Sequence, residues 1–514
     1  MSVARGLARN VAILMGSQVV TSSVSLVIVL LLPHYLGDVG LGRLAFAQAV
    51  CAVLGAATVL GTNLYIVREV AADRSRVPHL LVTGLITRAP VWLLASVLAI
   101  ALLSARHVPA ATLWIVAALM VVTLVNVSNG VLSSVLQGAE KMGWKSVAAI
   151  ADTLVVLLVG VPALVLTRNP LVFCAALLAG AITDLTVNSL YFRNHLGSAR
   201  LPRRSSLLAF GVGALPFLGL ALAQGVYGQI DTLTLGLLTT ESVVGWFAAA
   251  NRLSTVVVLV PVVLIAALFP VLSRMMPGDE RLSGQVLRKM LDITALIAFP
   301  ISAGLAVVAS RLFAFLDYPA VFEHSIPILV VLSASWSATA IVMVLGSAAL
   351  AGTRRNAWAI GTVTIVPIFV VLNLSLIPVA TRLFGNGGIG AAAANLIGES
   401  VMVVLAILLL PRGTLQLGNL GYAARVVIAC LVMVGAVASR PTLHLPLAIP
   451  LGVAVYAGAS LVLHTLSPAE IRLALALIRG GAADNAGQPP AVPGTSPEMD
   501  SCPADGRPVA APVQ

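Results

Sequence analysis

Between residues 11 and 466 the chain is a succession of apolar runs broken by short polar turns. Fourteen runs stand out, at 11–32, 43–65, 79–103, 110–136, 147–167, 170–193, 208–237, 243–272, 289–310, 324–351, 357–380, 388–410, 422–439 and 445–466. A helix of about 20 apolar residues crosses a bilayer core, and every run approaches or exceeds that length. The pattern predicts an all-α polytopic membrane protein with about 14 transmembrane helices. The shortest break is Arg168-Asn169-Pro170, between the fifth and sixth runs. The first run follows Arg5 and Arg9 and ends at Pro33-His34 without a small-x-small cleavage site, so it reads as a retained span.

Charge fixes the orientation. With the N-terminus in the cytoplasm, 22 of the 30 Lys and Arg fall on cytoplasmic ends and loops. Six (Arg43, Arg106, Arg168, Arg311, Arg382 and Arg440) fall outside, and Arg88 and Arg252 lie within spans. A missed span would scramble this asymmetry, so the positive-inside rule places both termini in the cytoplasm. After the last run, Ser467-Pro468-Ala469-Glu470 forms a helix-start pattern. Residues 468–479 are expected to lie on the inner surface. The proline-rich stretch 480–514 is expected to be a disordered cytoplasmic tail.

Two internal matches point to a repeat. Leu136-Gln137-Gly138-Ala139-Glu140-Lys141-Met142-Gly143-Trp144 matches the stretch from Leu350-Ala351-Gly352 to Trp358 at an offset of 214. Gly42-Arg43-Leu44-Ala45-Phe46-Ala47 matches Gly245-Trp246-Phe247-Ala248-Ala249-Ala250 at an offset of 203, with Gln48 on Asn251. Together they predict two six-helix halves in parallel repeat: an N-lobe at 1–205 and a C-lobe at 206–411. Two extra helices and the surface helix at 412–479 follow, and then the tail. Substrate sites in such repeats lie between the halves.

Composition removes other classes. Residues of the AVILMFWYC set make up 59% of the chain and charged residues 10%, and the mean hydropathy is +1.03. Soluble enzymes and disordered proteins are excluded on these figures. The net charge of +11 is the cytoplasmic Arg excess, since no basic run with interleaved aromatics supports nucleic-acid binding. Cys51, Cys174, Cys430 and Cys502 make no CxxC or Cys/His cluster, so neither a disulfide framework nor a metal site is expected. There is no Walker loop, HExxH or GxSxG, and no cofactor is expected. Gly385-Asn386-Gly387-Gly388-Ile389-Gly390 matches G-x-G-x-x-G but follows no strand, and it reads as a turn before the twelfth span.

Polar residues inside spans are the candidate chemistry, because a charge at mid-bilayer costs about 2.5–3.5 kcal/mol on insertion scales. Asp231 and Arg252 fall at similar depth in neighbouring spans and can pair, either to build a cavity wall that binds anions or only to neutralise each other. Gln224, Tyr227 and Asp231 share a helical face. Asn126, Asn129, Ser133 and Gln137 form a polar stripe that suits sugar binding or helix–helix hydrogen bonding. Arg88 is a candidate cavity cation, or else it snorkels inward. Gln18, Gln48, Asn251 and Trp336 complete the candidate cavity set. Asp184 (with Asn188 and Tyr191), Glu399 (with Asn395) and Asp231 are candidates for a coupling ion.

A further set of motifs carries a family resemblance. It comprises Tyr35-Leu36-Gly37-Asp38-Val39-Gly40-Leu41-Gly42, Leu60-Gly61, Val67-Arg68-Glu69-Val70-Ala71, Gln229-Ile230-Asp231-Thr232-Leu233, Val244-Gly245-Trp246-Phe247, Leu268-Phe269-Pro270 and Ser273. Over about residues 5–465 the chain resembles the polysaccharide and oligosaccharide flippases (the Wzx-like polysaccharide transporter family) of the multidrug/oligosaccharidyl-lipid/polysaccharide exporter superfamily. The resemblance implies a MATE-like, V-shaped core of two lobes with two added helices. It implies a transporter, not an enzyme, that flips a polyprenyl-pyrophosphate-linked glycan across the bacterial cytoplasmic membrane. Membrane lipids and cell-envelope glycan-assembly enzymes are its expected partners. Lipid II flippases carry arginines in the first span, whereas this chain offers Gln18, Ser22, Ser23 and Ser25 there, which argues against lipid II as substrate. The rival readings are a cation-coupled multidrug exporter of the same superfamily and a polytopic glycan-assembly enzyme. The longest outer loop, 311–323, holds only Asp317 and Glu323 as carboxylates for such an enzyme.

Overall fold

Long apolar stretches with few charges favour helix in a bilayer, where every backbone N–H and C=O must find a partner within its own segment. The structure, a computed structural model, describes residues 2–59, 61–195, 222–258, 280–351, 355–410 and 417–465, with the single positions 210, 261, 262 and 265. The described residues up to 463 fall in one compact unit. The regular structure among the described residues is helical throughout. The helices are α1 (Ser2–Val59), α2 (Thr62–Ala72), α3 (Val77–Ala105), α4 (Ala110–Gly138), α5 (Met142–Val155), α6 (Val161–Thr167), α7 (Pro170–His195), α8 (Ile230–Leu238), α9 (Glu241–Ser254), α10 (Glu280–Phe315), α11 (Ser325–Ala351), α12 (Arg355–Phe384), α13 (Gly387–Leu409), α14 (Leu417–Ala438) and α15 (Leu445–Val462).

Among the described residues, eleven helical stretches are long and apolar enough to span a membrane. They contain twelve of the fourteen predicted runs, because the first two runs share α1. The seventh and eighth runs are described only in part, through a helical stretch at 222–227, α8 and α9. The predicted surface helix at 468–479 and the tail at 480–514 lie outside the described residues.

Helix breaks follow local chemistry. The two parts of α1 meet at Gly37, whose φ of 64° is open to glycine and strained for other residues. The predicted break at Arg168-Asn169-Pro170 is real: α6 ends on Arg168 in the left-handed region, and the Asn169 side chain accepts from the Leu171 N–H at 2.9 Å. The glycine-rich segment before α13 is a turn, with Asn386 Oδ1 capping the helix through the Gly388 N–H at 3.0 Å. The seventh run differs from expectation. It is interrupted by a turn at Gly228-Gln229, where glycine weakens helix propensity.

In the N-terminal part, α4 packs against α1, α2, α3 and α7, and α5 packs against α7. In the C-terminal part, α13 packs against α11 and α12, and α10 packs against α11. The added helices α14 and α15 pack against each other and against α10. Tyr456 donates to the Leu296 carbonyl at 2.7 Å, and Arg311 Nη2 donates to the carbonyls of Val437 and Arg440 at 3.2 and 2.9 Å.

The two parts meet most extensively where α1 packs on α9, at the end that the charge asymmetry assigns to the outside. The contact is reciprocal. A Cβ on Gly42 would lie 1.8 Å from the Glu241 carbonyl oxygen, and one on Gly245 would lie 2.0 Å from the Asp38 carbonyl oxygen. Gly42 and Gly245, like Asp38 and Glu241, are related by the same offset of 203. Around this crossing, Arg43 Nε meets Glu241 Oε2 at 2.7 Å and Thr112 donates to Glu241 Oε1 at 2.5 Å. His34 Nδ1 donates to the Asp317 carbonyl at 2.9 Å, and Tyr318 donates to the Leu30 carbonyl at 2.9 Å.

Candidate functional site

A cavity of about 710 Å³ shares α1 and Arg252 of α9 with this crossing. Its wall is mostly apolar, built from α1, α4, α5 and α7. Its polar lining includes Gln48, Asn63, Asn126, Asp152, Thr153 and Arg252. Arg252 is the lining residue contributed by the C-terminal part, from the last turn of α9. Its Nη1 is buried without a hydrogen-bond partner, and its side chain has no ion pair among the described residues. Arg252 also lies within electrostatic reach of Tyr318. Burial holds the Tyr318 hydroxyl above the usual phenol range, against the opposing pull of Arg252, so it stays protonated and donates to the Leu30 carbonyl.

The expected Asp231–Arg252 pair does not form. Asp231 instead accepts from Asn373 Nδ2 at 2.8 Å and Asn395 Nδ2 at 2.7 Å, and Ser335 donates to Asn395 Oδ1. Tyr227 donates to Glu399 Oε1, while Glu399 Oε2 is buried without a partner. Asp231, Glu399 and Tyr227 thus belong to a polar cluster among α8, α11, α12 and α13. The physical reason is that neutral amides satisfy the carboxylate locally, so the neighbouring guanidinium is left facing the cavity.

Arg88 is also corrected as a cavity cation, for it is only 2% exposed and lies outside the lining. It donates to Thr62 Oγ1 at 2.5 and 3.1 Å, to Asn63 Oδ1 at 2.7 Å and to the Val127 carbonyl at 2.7 Å. Gly61, at the start of α2, is in the left-handed region, and Arg88 ties the side chains of the two residues that follow it to the Val127 carbonyl of α4.

The polar stripe on α4 divides along its length. Asn126 faces the cavity. Asn129 donates to Asp184 Oδ2 at 2.5 Å and accepts from Asn188 at 2.9 Å. Asn188 also donates to Asp184 at 2.9 Å, and Gln137 accepts from Lys145 at 3.2 Å. Hence the stripe divides: Asn126 lines the cavity, while Asn129 and Gln137 bond to neighbouring helices. Gln18 donates to Ser22 at 3.1 Å, and Trp336 packs near Val257, Ala298 and Ala340. Gln18, Gln224, Asn251 and Trp336 lie outside the cavity lining.

Asp152 is the residue that the sequence reading passed over. It lies on α5, one residue before Thr153, and it obeys the same rule that singled out Asp184 and Glu399: a carboxylate within an apolar run.

Comparison with known proteins agrees with this architecture. The chain belongs to the family described as polysaccharide biosynthesis protein, which matches residues 7–276. It is 28% identical over 193 residues to the probable flippase AglR of Haloferax volcanii, a match covering 36% of this chain and 38% of that protein. The structure is similar to that of the lipid II flippase MurJ in an inward closed conformation, with a TM-score of 0.70 and 14% identity, covering 87% of this chain and 98% of that one. It is also similar to an inward-facing multidrug resistance MATE family transporter, with a TM-score of 0.58 and 15% identity, covering 76% and 94%. At these identities the structural likeness concerns the fold.

Proposed function

We propose that this member of the polysaccharide biosynthesis protein family moves a polyprenyl-pyrophosphate-linked glycan from the inner to the outer leaflet of a bacterial cytoplasmic membrane by alternating access. The observation that carries the reading is the partnerless Arg252 guanidinium on the cavity wall. A buried cation without a counter-ion is costly, and a pyrophosphate entering the cavity supplies one, in charge-assisted hydrogen bonds that suit a guanidinium. The head group crosses in the cavity while the lipid tail remains in the bilayer. In this reading the α1–α9 crossing is the outer gate. Gate opening carries Arg252 with the C-terminal part, away from the α1, α4 and α5 walls. The Asp231–Glu399 cluster and the Asp184 cluster are the candidate seats of a coupling ion.

The multidrug-exporter reading wants carboxylates to dominate the cavity. Asp231 and Glu399 are engaged elsewhere, and the cavity sets the single carboxylate of Asp152 against the guanidinium of Arg252, so acids do not dominate it, which favours the lipid-linked anion. The test is to isolate lipid-linked glycans from cells lacking the protein and assign their leaflet. Complete glycan accumulating on the inner leaflet is expected. Truncated glycans would indicate an enzyme, and unchanged glycans with raised dye sensitivity would indicate an exporter.

A further inference from the structure

Three observations converge on α5. First, Asp152 lines the same cavity as Arg252, and its carboxylate has no hydrogen bond or ion pair among the described residues. Second, the helix passes directly into a π-helical turn at Val156–Gly160, a local unwinding that recurs at functional sites. Val156 of that turn lines the cavity with Asp152 and Thr153. Third, α7 presents Gly180 to this carboxylate, where a Cβ would lie 2.2 Å from Asp152 Oδ1. The backbone has therefore left room for the acid at this place. The Asp184 carboxylate, within electrostatic reach of Asp152, is already occupied by Asn129 and Asn188, and Lys145 is bound to Gln137. No cation from the N-terminal part is thus paired with Asp152 among the described residues.

We propose that Asp152, with Thr153 and Asn126 on the same wall, is the sugar-recognising face of the cavity, accepting hydrogen bonds from hydroxyl or amino groups of the glycan while Arg252 takes the pyrophosphate. A carboxylate accepts but does not donate, and its two oxygens hold up to four hydrogen bonds. Sugar hydroxyls and amines are donors, whereas a pyrophosphate is repelled by the acid and drawn to Arg252. The two charges stand on helices of different parts of the chain, so together they accept the head group in one orientation. This rests on the reading of the protein as a transporter of lipid-linked glycan.

The test is binding to the purified full-length protein of two probes: the lipid-linked glycan pool extracted from cells lacking the protein, and undecaprenyl pyrophosphate without sugar. Asp152→Ala is expected to weaken the glycan lipid roughly ten- to hundredfold, the worth of hydrogen bonds to a charged group. The bare pyrophosphate lipid should bind as before or somewhat better. Asp152→Asn, which keeps one acceptor, is expected to fall between Asp152→Ala and the wild type, and Arg252→Ala to weaken both probes alike. Thermal unfolding of each variant separates misfolding from lost recognition. Unchanged binding of the glycan lipid by a folded Asp152→Ala protein overturns the proposal. So does an equal loss for both probes, which would make Asp152 a general requirement such as ion coupling. Wild-type protein that binds neither probe overturns the transport reading itself.

Discussion

Arg88 and Arg252 are both guanidiniums within apolar runs, yet Arg88 donates four hydrogen bonds while Arg252 Nη1 meets no acceptor. Hydrogen bonds to charged groups are worth about 1.5–3 kcal/mol each, and losing a buried cation strands its acceptors. Arg88→Met is therefore expected to lower thermal stability in detergent sharply, by about 1–3 kcal/mol for each buried acceptor it leaves unsatisfied. Arg252→Met should unfold at or above the wild-type temperature while losing transport. A scan in which the two variants melt alike would refute the distinction. The sequence made both residues conspicuous because depth within a span can be counted from its ends. It did not reveal which way each side chain turns. Asp231 illustrates the limit: its two amide partners come from spans 142 and 164 residues away, and no spacing rule links them. Asp152, by contrast, was legible by the rule already in use.

The α1–α9 crossing is an element-scale device. Bilayer helices gain little from burying apolar surface against each other, so close approach through small residues carries their association. At Gly42 and Gly245 the facing atoms are backbone carbonyls, which cannot move aside as a flexible side chain would. Gly42→Ala or Gly245→Ala forces the helices apart, and overpacking costs about 1–3 kcal/mol, enough to shift a two-state balance roughly tenfold. The expected outcome is greater labelling of Gln48→Cys by a membrane-impermeant thiol reagent added outside, in a background with the native cysteines replaced. Unaltered labelling would count against the crossing as an outer gate. Glu241→Gln, which removes the ion pair with Arg43 but keeps the glycine contact, is expected to act in the same direction and more weakly, since exposed or half-exposed pairs contribute about 0–1 kcal/mol. The sequence showed this region as two short matching hexapeptides. That the two copies rest on each other is a property of the assembled helices, invisible to a linear comparison.

At the scale of the whole molecule, the added helices α14 and α15 stand apart from the transport machinery. They contact α10 and each other, and neither contributes a residue to the cavity wall. Their apolar contacts with α10 involve Val308, Val437, Leu445 and Ala448, and lipid tails are nearly as good a surrounding for such residues as another helix. The polar losses on their removal include the two carbonyl acceptors of Arg311, the Tyr456 bond to Leu296 and the electrostatic contact of Tyr422 with Asp292. Hydrogen bonds of this kind contribute about 0.5–3 kcal/mol each, and water can replace the acceptors of Arg311. A chain ending at residue 410 is therefore expected to insert, to melt a few degrees lower, and to bind undecaprenyl pyrophosphate within about twofold of the full-length affinity, a difference below 0.5 kcal/mol. Titration of both proteins in detergent checks this. Retained folding with lost binding would mean that α14 and α15 set the position of α10, and through it of α11 and Arg252, so that the part ending at residue 410 no longer holds the cavity in shape.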